Sequence, residues 1–190
     1  MQSYSYNSGK TGGRGRETLF RVTFRNQINL ISIADNKANM IISINSIIIS
    51  VIVSITGFGI VNESLDYNKA DIAIPITLIV LTCLMSVVYA IQAARPHIIR
   101  NKKGEVDVTS KNTSILFFGT ISKKSMDEYM EEMDDLLKSK DSIYKNMTID
   151  IYNQGKVLKR KYHLLSIAYL IFMYGFVFSV LTFLLMFVMP

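Results

Sequence analysis

The chain has 190 residues, a net charge of +6 and 49% hydrophobic residues, and its charges are segregated from its apolar residues instead of interleaved with them. A soluble domain would alternate the two at helical or strand period, so the pattern excludes that class. A single cysteine, Cys83, excludes an intrachain disulfide and reads as a small packing residue, and no Cys/His cluster has metal-site spacing.

Residues 1–17 are rich in Gly, Ser and Tyr, carry basic residues and show no periodicity, which predicts a disordered basic tail. They contain no apolar signal-peptide core, so insertion is expected to follow from the first membrane span. From Thr18 the apolar residues Leu19, Val22, Ile28, Ile31 and Ala34 recur near helical spacing. No Gly or Pro separates them from the uncharged run 40–61, which is long enough to cross a bilayer. One helix is therefore expected over 18–61, with its membrane part at about 40–61.

A short loop at 62–71 leads to a second span at 72–94, with Pro75 in its first turn, where a missing N–H costs least. Residues 95–163 form a polar, mainly helical region, and the Phe-rich run 164–189 is the third span. The predicted fold is an all-α membrane protein: three transmembrane helices, a mainly helical cytoplasmic loop region, and long helices extending beyond the membrane. Lys and Arg crowd the flank before the first span and both ends of the 95–163 region, whereas loop 62–71 carries only Lys69 against Glu63, Asp66 and Asp71. The bias places the N-terminus and the long loop in the cytoplasm and the C-terminus outside it.

Within the long loop, Ser125 and Glu128 have the spacing of a capping box. A helix after it would carry Met126, Tyr129, Met130, Met133 and Leu137 on one face and six acidic residues on the other. Asp141 or Ser142 would cap a second helix, with Tyr144, Met147, Ile151 and Leu158 as its apolar stripe, running on into the third span despite Gly155. The cluster Ile115 to Gly119 reads as a short strand or a buried loop anchor. His97 and His163 sit at membrane edges without a paired motif, and the acidic residues at 127–135 read as a solvated helix face, so no catalytic constellation is present and no enzyme is expected.

Along the first span Asp35, Asn39, Ser43, Ser46, Ser50, Ser54 and Gly57 are spaced three or four apart, which keeps one helix face in register. Small and hydroxylated residues are favoured where helices meet in lipid, so this face is expected to pack within the chain or to line an interface or pore between copies.

The block Ile31-Ser-Ile-Ala-Asp-Asn-Lys-Ala-Asn-Met40, running straight into Ile-Ile-Ser-Ile-Asn-Ser-Ile-Ile-Ile-Ser50, resembles the signature of the transmembrane effectors of Pycsar antiphage systems. Two further pieces are similar to that family. One is Leu116-Phe117-Phe118-Gly119 with the Ser125–Tyr129 helix start; the other is the segment from Asp150 to Tyr162. The likeness covers roughly residues 25–169. It implies a partner cyclase that makes cyclic UMP or cyclic CMP on infection, and an effector that answers this ligand by impairing the bacterial inner membrane, as a homo-oligomer and without other cofactors, metals or nucleic-acid polymers.

No stretch resembles the familiar cyclic-nucleotide-binding β-barrel, so a direct site would be built from the cytoplasmic loop region. A cyclic phosphate favours Arg and Lys, and a pyrimidine stacks on Phe or Tyr. Lys37, Arg100, Phe117, Phe118, Arg160, Lys161 and Tyr162 are the residues expected to supply these, with juxtamembrane lipid contact as the other reading of the basic ones. A different function remains open at this point: a membrane anchor that docks a soluble partner through its acidic, Met-bearing helix.

Overall fold

The computed structural model describes residues 12–61, 70–96, 114–116, 121 and 124–188. They hold four named helices: α1 (Gly12–Val61), α2 (Ala70–Ala94), α3 (Met126–Leu137) and α4 (Lys140–Val188). At about 1.5 Å per residue, α1 and α4 are each roughly 75 Å long, more than twice the hydrocarbon thickness of a bilayer. Three of the helices, α1, α2 and α4, contain windows apolar enough to span a membrane, with mean hydropathies of 2.2, 2.4 and 2.2. Only 11–17% of each window is buried within the chain, so lipid or further copies must cover the rest.

The expected continuity of the long helices is observed, and neither α1 nor α4 breaks between its polar and its apolar part. Gly155 is helical, its cost of about 1 kcal/mol being small against the packing of so long an element. Helix α1 begins at Gly12, six residues before the expected start at Thr18, so part of the predicted tail is helical. The Thr18 hydroxyl donates to the Arg14 carbonyl at 2.8 Å, and the Arg16 guanidinium lies 5.9 Å from the centre of the Tyr144 ring. The rest of that tail, residues 1–11, lies outside the described residues. Helix α2 begins at Ala70, which puts Pro75 at its sixth position instead of in the first turn, and the Asp71 carbonyl loses its usual N–H partner.

Helix α3 starts as its capping box requires. The Ser125 Oγ accepts from the Glu128 N–H at 3.3 Å, and Glu128 Oε2 accepts from the Ser125 N–H at 3.1 Å. Asp127 and Glu128 in its first turn also suit the positive end of the helix dipole. Its inward face is rotated from the expected stripe: Leu136 is the buried residue, while Met126, Met130 and Leu137 are exposed. Glu132, on the same side as Leu136, is half-buried and pairs with Lys124.

The chain forms two compact units. The polar unit comprises Met1–Leu30 and His97–Leu158, and the membrane unit comprises Ile31–Pro96 and Lys159–Pro190. The membrane unit packs α1, α2 and the apolar part of α4 through small residues. Ala34, Ala38, Ala93 and Leu165 form one buried cluster; Ile41, Ala90 and Ala168 form the next. Small side chains let helix backbones approach in lipid, where burying larger apolar groups gains nothing over contact with lipid tails. Gly175 marks the closest approach: a Cβ there would lie 2.2 Å from Thr82 Cγ2 and 3.0 Å from Thr82 Cβ.

Two polar contacts fix the register of this unit. The Asn45 amide donates to the Ile41 carbonyl at 2.7 Å and to Ser86 Oγ at 3.3 Å, and the Ser86 hydroxyl donates to the Ala168 carbonyl at 3.0 Å, joining all three helices. The Lys161 ammonium, buried, pairs with Asp35 and reaches the Ala94 carbonyl at 3.4 Å.

Two outcomes are expected from unfolding measurements in detergent micelles. Gly175→Ala forces Thr82 or a helix to move and should destabilise by about 1–3 kcal/mol, as overpacking does; Thr82→Ala in the same chain should recover part of the loss. Asp35→Asn leaves a buried ammonium without its carboxylate and should cost about 1–3 kcal/mol. Adding Lys161→Met should restore most of that, because the stranded charge is gone.

Candidate functional site

The polar unit contains a cavity of about 700 Å³, within the 300–1,000 Å³ typical of small-molecule sites. Helix α1 supplies one wall. Phe20 and Phe24 are four residues apart, as are Arg21 and Arg25, and this spacing stacks like side chains one turn above each other on the same face. Glu17, Ile28 and Asn29 complete that wall. Met147, Asp150 and Ile151 of α4, with Leu116, line the other side.

The aromatic residues of the wall are not equivalent. Phe20 stacks on Tyr144 of α4, ring centres 5.6 Å apart and planes inclined at 25°, so it serves to hold the two helices together. Phe24 is partly exposed and lines the cavity. Arg21 and Arg25 are exposed, and neither has an ion-pair partner among the described residues.

The short turn at residues 114–116 is pinned to α4. The Ile115 N–H donates to Asn146 Oδ1 at 3.3 Å, and the Leu116 N–H donates to Ser114 Oγ at 3.2 Å. The buried Ser114 hydroxyl in turn bonds the Asp150 carboxyl. Asp150 is 8% exposed, and burial pushes its carboxyl above the ordinary value while the Ser114 hydroxyl pulls it back, favouring the charged form. Of the Ile115–Gly119 cluster, Ile115 and Leu116 form a turn, with Leu116 exposed; residues 117–119 lie outside the described residues.

Two guanidiniums on one helix face suit an oxyanion, above all a phosphate. A partly free aromatic face suits a planar ring. A nearly buried carboxylate suits a hydrogen-bond donor of the ligand. The cavity can therefore hold a small, singly charged, aromatic phosphate compound. Among the described residues no group of three or more His, Cys, Asp or Glu could hold a metal.

Of the residues expected from the sequence to bind a ligand, Lys37, Arg160, Lys161 and Tyr162 are described and do not line this cavity. Lys161 is buried in the membrane unit and committed to Asp35. Tyr162 packs against the cluster of Ala34, Ala38, Ala93 and Leu165. Lys37 is exposed, and its carbonyl accepts from the Tyr169 hydroxyl at 3.4 Å. Arg160 is exposed and engaged in an interaction of its own. Arg100, Phe117 and Phe118 lie outside the described residues.

On the first span, Asp35 turns to Lys161, whereas Asn39, Ser43, Ser46, Ser50 and Ser54 are exposed. The face of α1 buried within the chain is that of Ala34, Ala38, Ile41 and Asn45. Ser46 and Ser54 donate back to the carbonyls of Ile42 and Ser50, each at 2.8 Å.

Sequence reasoning missed Arg21, Arg25, Phe24 and Asp150 as cavity-lining residues. The signal for the first three was present: paired Arg and paired Phe at four-residue spacing on one helix face. The two arginines were counted as membrane-flanking charge instead.

Compared with known families, the chain matches the Pycsar effector protein domain (PycTM) over residues 19–188. It belongs to that family, as the three motifs along the chain implied. It is accordingly a membrane effector of antiphage defence, of a class not known as enzymes, and Pycsar signalling implies activation by a cyclic nucleotide. No curated protein and no solved structure matches it.

The environment of Asp150 sets a pH dependence. Its folded-state carboxyl binds a proton more tightly than the ordinary value of 3.8, so the folded chain holds more protons than the unfolded one between 3.8 and the raised value. Stability from this group is therefore present below 3.8 and is lost as pH rises through the raised folded value. The thermal midpoint of Asp150→Asn should lack this component, and subtracting its profile from that of the wild type should leave a difference that falls with rising pH in that window.

Proposed function

We propose that this chain is a messenger-gated membrane effector: a cyclic pyrimidine mononucleotide, cyclic UMP or cyclic CMP, binds in the cavity of the polar unit, and binding leads to impairment of the inner membrane. The observation that carries this reading is the cavity with Arg21 and Arg25 on the same wall as Phe24. The cyclic phosphate, singly negative, meets the two guanidiniums, and the pyrimidine ring meets the Phe24 face. The messenger comes from a partner cyclase.

The charge bias of the flanks supports a cytoplasmic polar unit, with the N-terminus on that side and the C-terminus outside, which is where a cyclase product would be found. Helices α1 and α4 each contribute residues to both units, so a ligand held between their polar parts acts on elements that also cross the membrane. The exposed polar face of α1, from Asn39 to Ser54, supports assembly of several copies in the membrane, since polar faces turned to lipid are otherwise unfavourable. A nucleotide shifts the chain toward the damaging state only by binding that state more tightly.

The test is dye release from liposomes carrying the purified chain. Cyclic UMP or cyclic CMP should trigger release, and cyclic AMP should not at the same concentration. Arg21→Gln and Arg25→Gln should each raise the nucleotide concentration for half-maximal release by roughly 10- to 100-fold, the worth of one charge-assisted hydrogen bond. Release that is the same with and without nucleotide would overturn the gating.

A further inference from the structure

We infer that Asp150 reads the edge of the bound base and makes the cavity prefer a pyrimidine with an exocyclic amino group, cytosine, over uracil. The inference rests on the nucleotide reading of the cavity and adds the choice between its two messengers. It comes from the carboxylate's placement: Asp150 is nearly buried, lies on α4, and lines the cavity across from the α1 wall that carries Arg21, Phe24 and Arg25.

The hydrogen-bonding inventory decides the preference. An ionised carboxylate only accepts. Burial raises the Asp150 carboxyl above its ordinary value, and the Ser114 hydroxyl, which donates to it, works against that rise in favour of the acceptor form. Cytosine presents two N–H donors on N4, and carboxylates pair with that amino group in nucleic-acid recognition. Uracil presents a single N3–H donor flanked by the O2 and O4 carbonyl oxygens. A carboxylate reaching that N–H sets its own oxygens against one or both carbonyls, acceptor against acceptor, in a place where water has little access to relieve it. Asn29, on the α1 wall, can donate or accept and so favours neither base.

The geometry also explains why a carboxylate is retained beside an anion site. A bare acidic residue near Arg21 and Arg25 would compete with the phosphate for them. Asp150 has no ion-pair partner among the described residues and takes its hydrogen bond from Ser114, so it is not committed to either guanidinium; Glu17, one turn before Arg21, is the nearer acidic group on the α1 wall. The turn at residues 114–116 then has a function: it holds the Ser114 hydroxyl on the carboxylate.

The experiment is calorimetric titration of the full chain in detergent micelles with cyclic CMP and with cyclic UMP. The wild type should bind cyclic CMP about tenfold or more tightly than cyclic UMP, the scale of one well-made contact to a base edge. In Asp150→Asn the amide can pair with either base, so cyclic UMP should gain affinity and the two should come within about threefold. Asp150→Glu, which keeps the charge but moves it by one methylene, should retain the preference in weakened form. Equal affinities in the wild type overturn the inference without reference to any variant. So does a folded Asp150→Asn chain that keeps the full preference. If the wild type binds neither nucleotide, the cavity is not the messenger site, and the proposed function loses its carrying observation together with this inference.

Discussion

Hydrocarbon offers no partner to a polar group, and the whole membrane unit is arranged around that fact. Its hydroxyls turn back onto their own helices: Thr82 donates to Leu78, Ser179 to Gly175, Thr182 to Phe178, and Ser46 and Ser54 to the carbonyls one turn before them. Asn45 and Ser86 instead hydrogen-bond between helices, and they do so where Ile41, Ala90 and Ala168 exclude lipid. Lys161, the one buried cation among the described residues, is tolerated because Asp35 neutralises it and the Ala94 carbonyl accepts a further bond. Self-satisfaction has a second consequence. Ser46 and Ser54 on the exposed α1 face satisfy their hydroxyls within the helix, and the small size of the serines there admits a neighbouring helix closely.

The spans were legible because length and absence of charge decide them, and neither depends on tertiary contacts. The capping box at Ser125 was legible for the same reason: it is a local arrangement of two side chains and two amides. Which face of each span is buried was not legible. In water the apolar side of a helix is its inner side, but in lipid Leu and Ile face outward as comfortably as inward. The inner face is marked by Ala34, Ala38, Ala90, Ala93 and Ala168 instead, and alanine carries little signal in a hydrophobic run. Similarly, Leu136 and Leu137 are adjacent and equally apolar, and nothing in their spacing tells which of them is buried.

The cavity was half legible. Arg21 and Arg25 stand in a region where the positive-inside bias already accounts for any basic residue, so their pairing added nothing visible to a count of charges. Asp150 fell within the segment that carries family resemblance, but its chemistry depends on Ser114, which is distant in sequence and reaches it only through a turn anchored on Asn146. A residue's burial and its hydrogen-bond donor are properties of the fold, and no spacing rule supplies them.

The same cavity explains how an anion could have differential affinity for two states of the chain, which is the one thing a gating ligand must have. Arg21 and Arg25 are like charges four residues apart on one helix face, an arrangement that costs a few tenths of a kcal/mol on an exposed helix and more where water is partly excluded. Neither is relieved by a carboxylate among the described residues. On the proposed reading, a phosphate between them would convert repulsion into two charge-assisted hydrogen bonds whether or not α4 is near, whereas one ring can touch both Phe24 of α1 and Asp150 of α4 only in a conformation that keeps the two close. A state in which α1 and α4 separate loses the base contacts while keeping the phosphate; a state in which they close keeps all of them. The stack of Phe20 on Tyr144 already joins the two helices at this level, so on the proposed reading a messenger would strengthen an existing contact instead of creating one. The free energy available for the membrane response is then the part of binding that requires both walls at once. It is largest when the base is held at its edge as well as on its face.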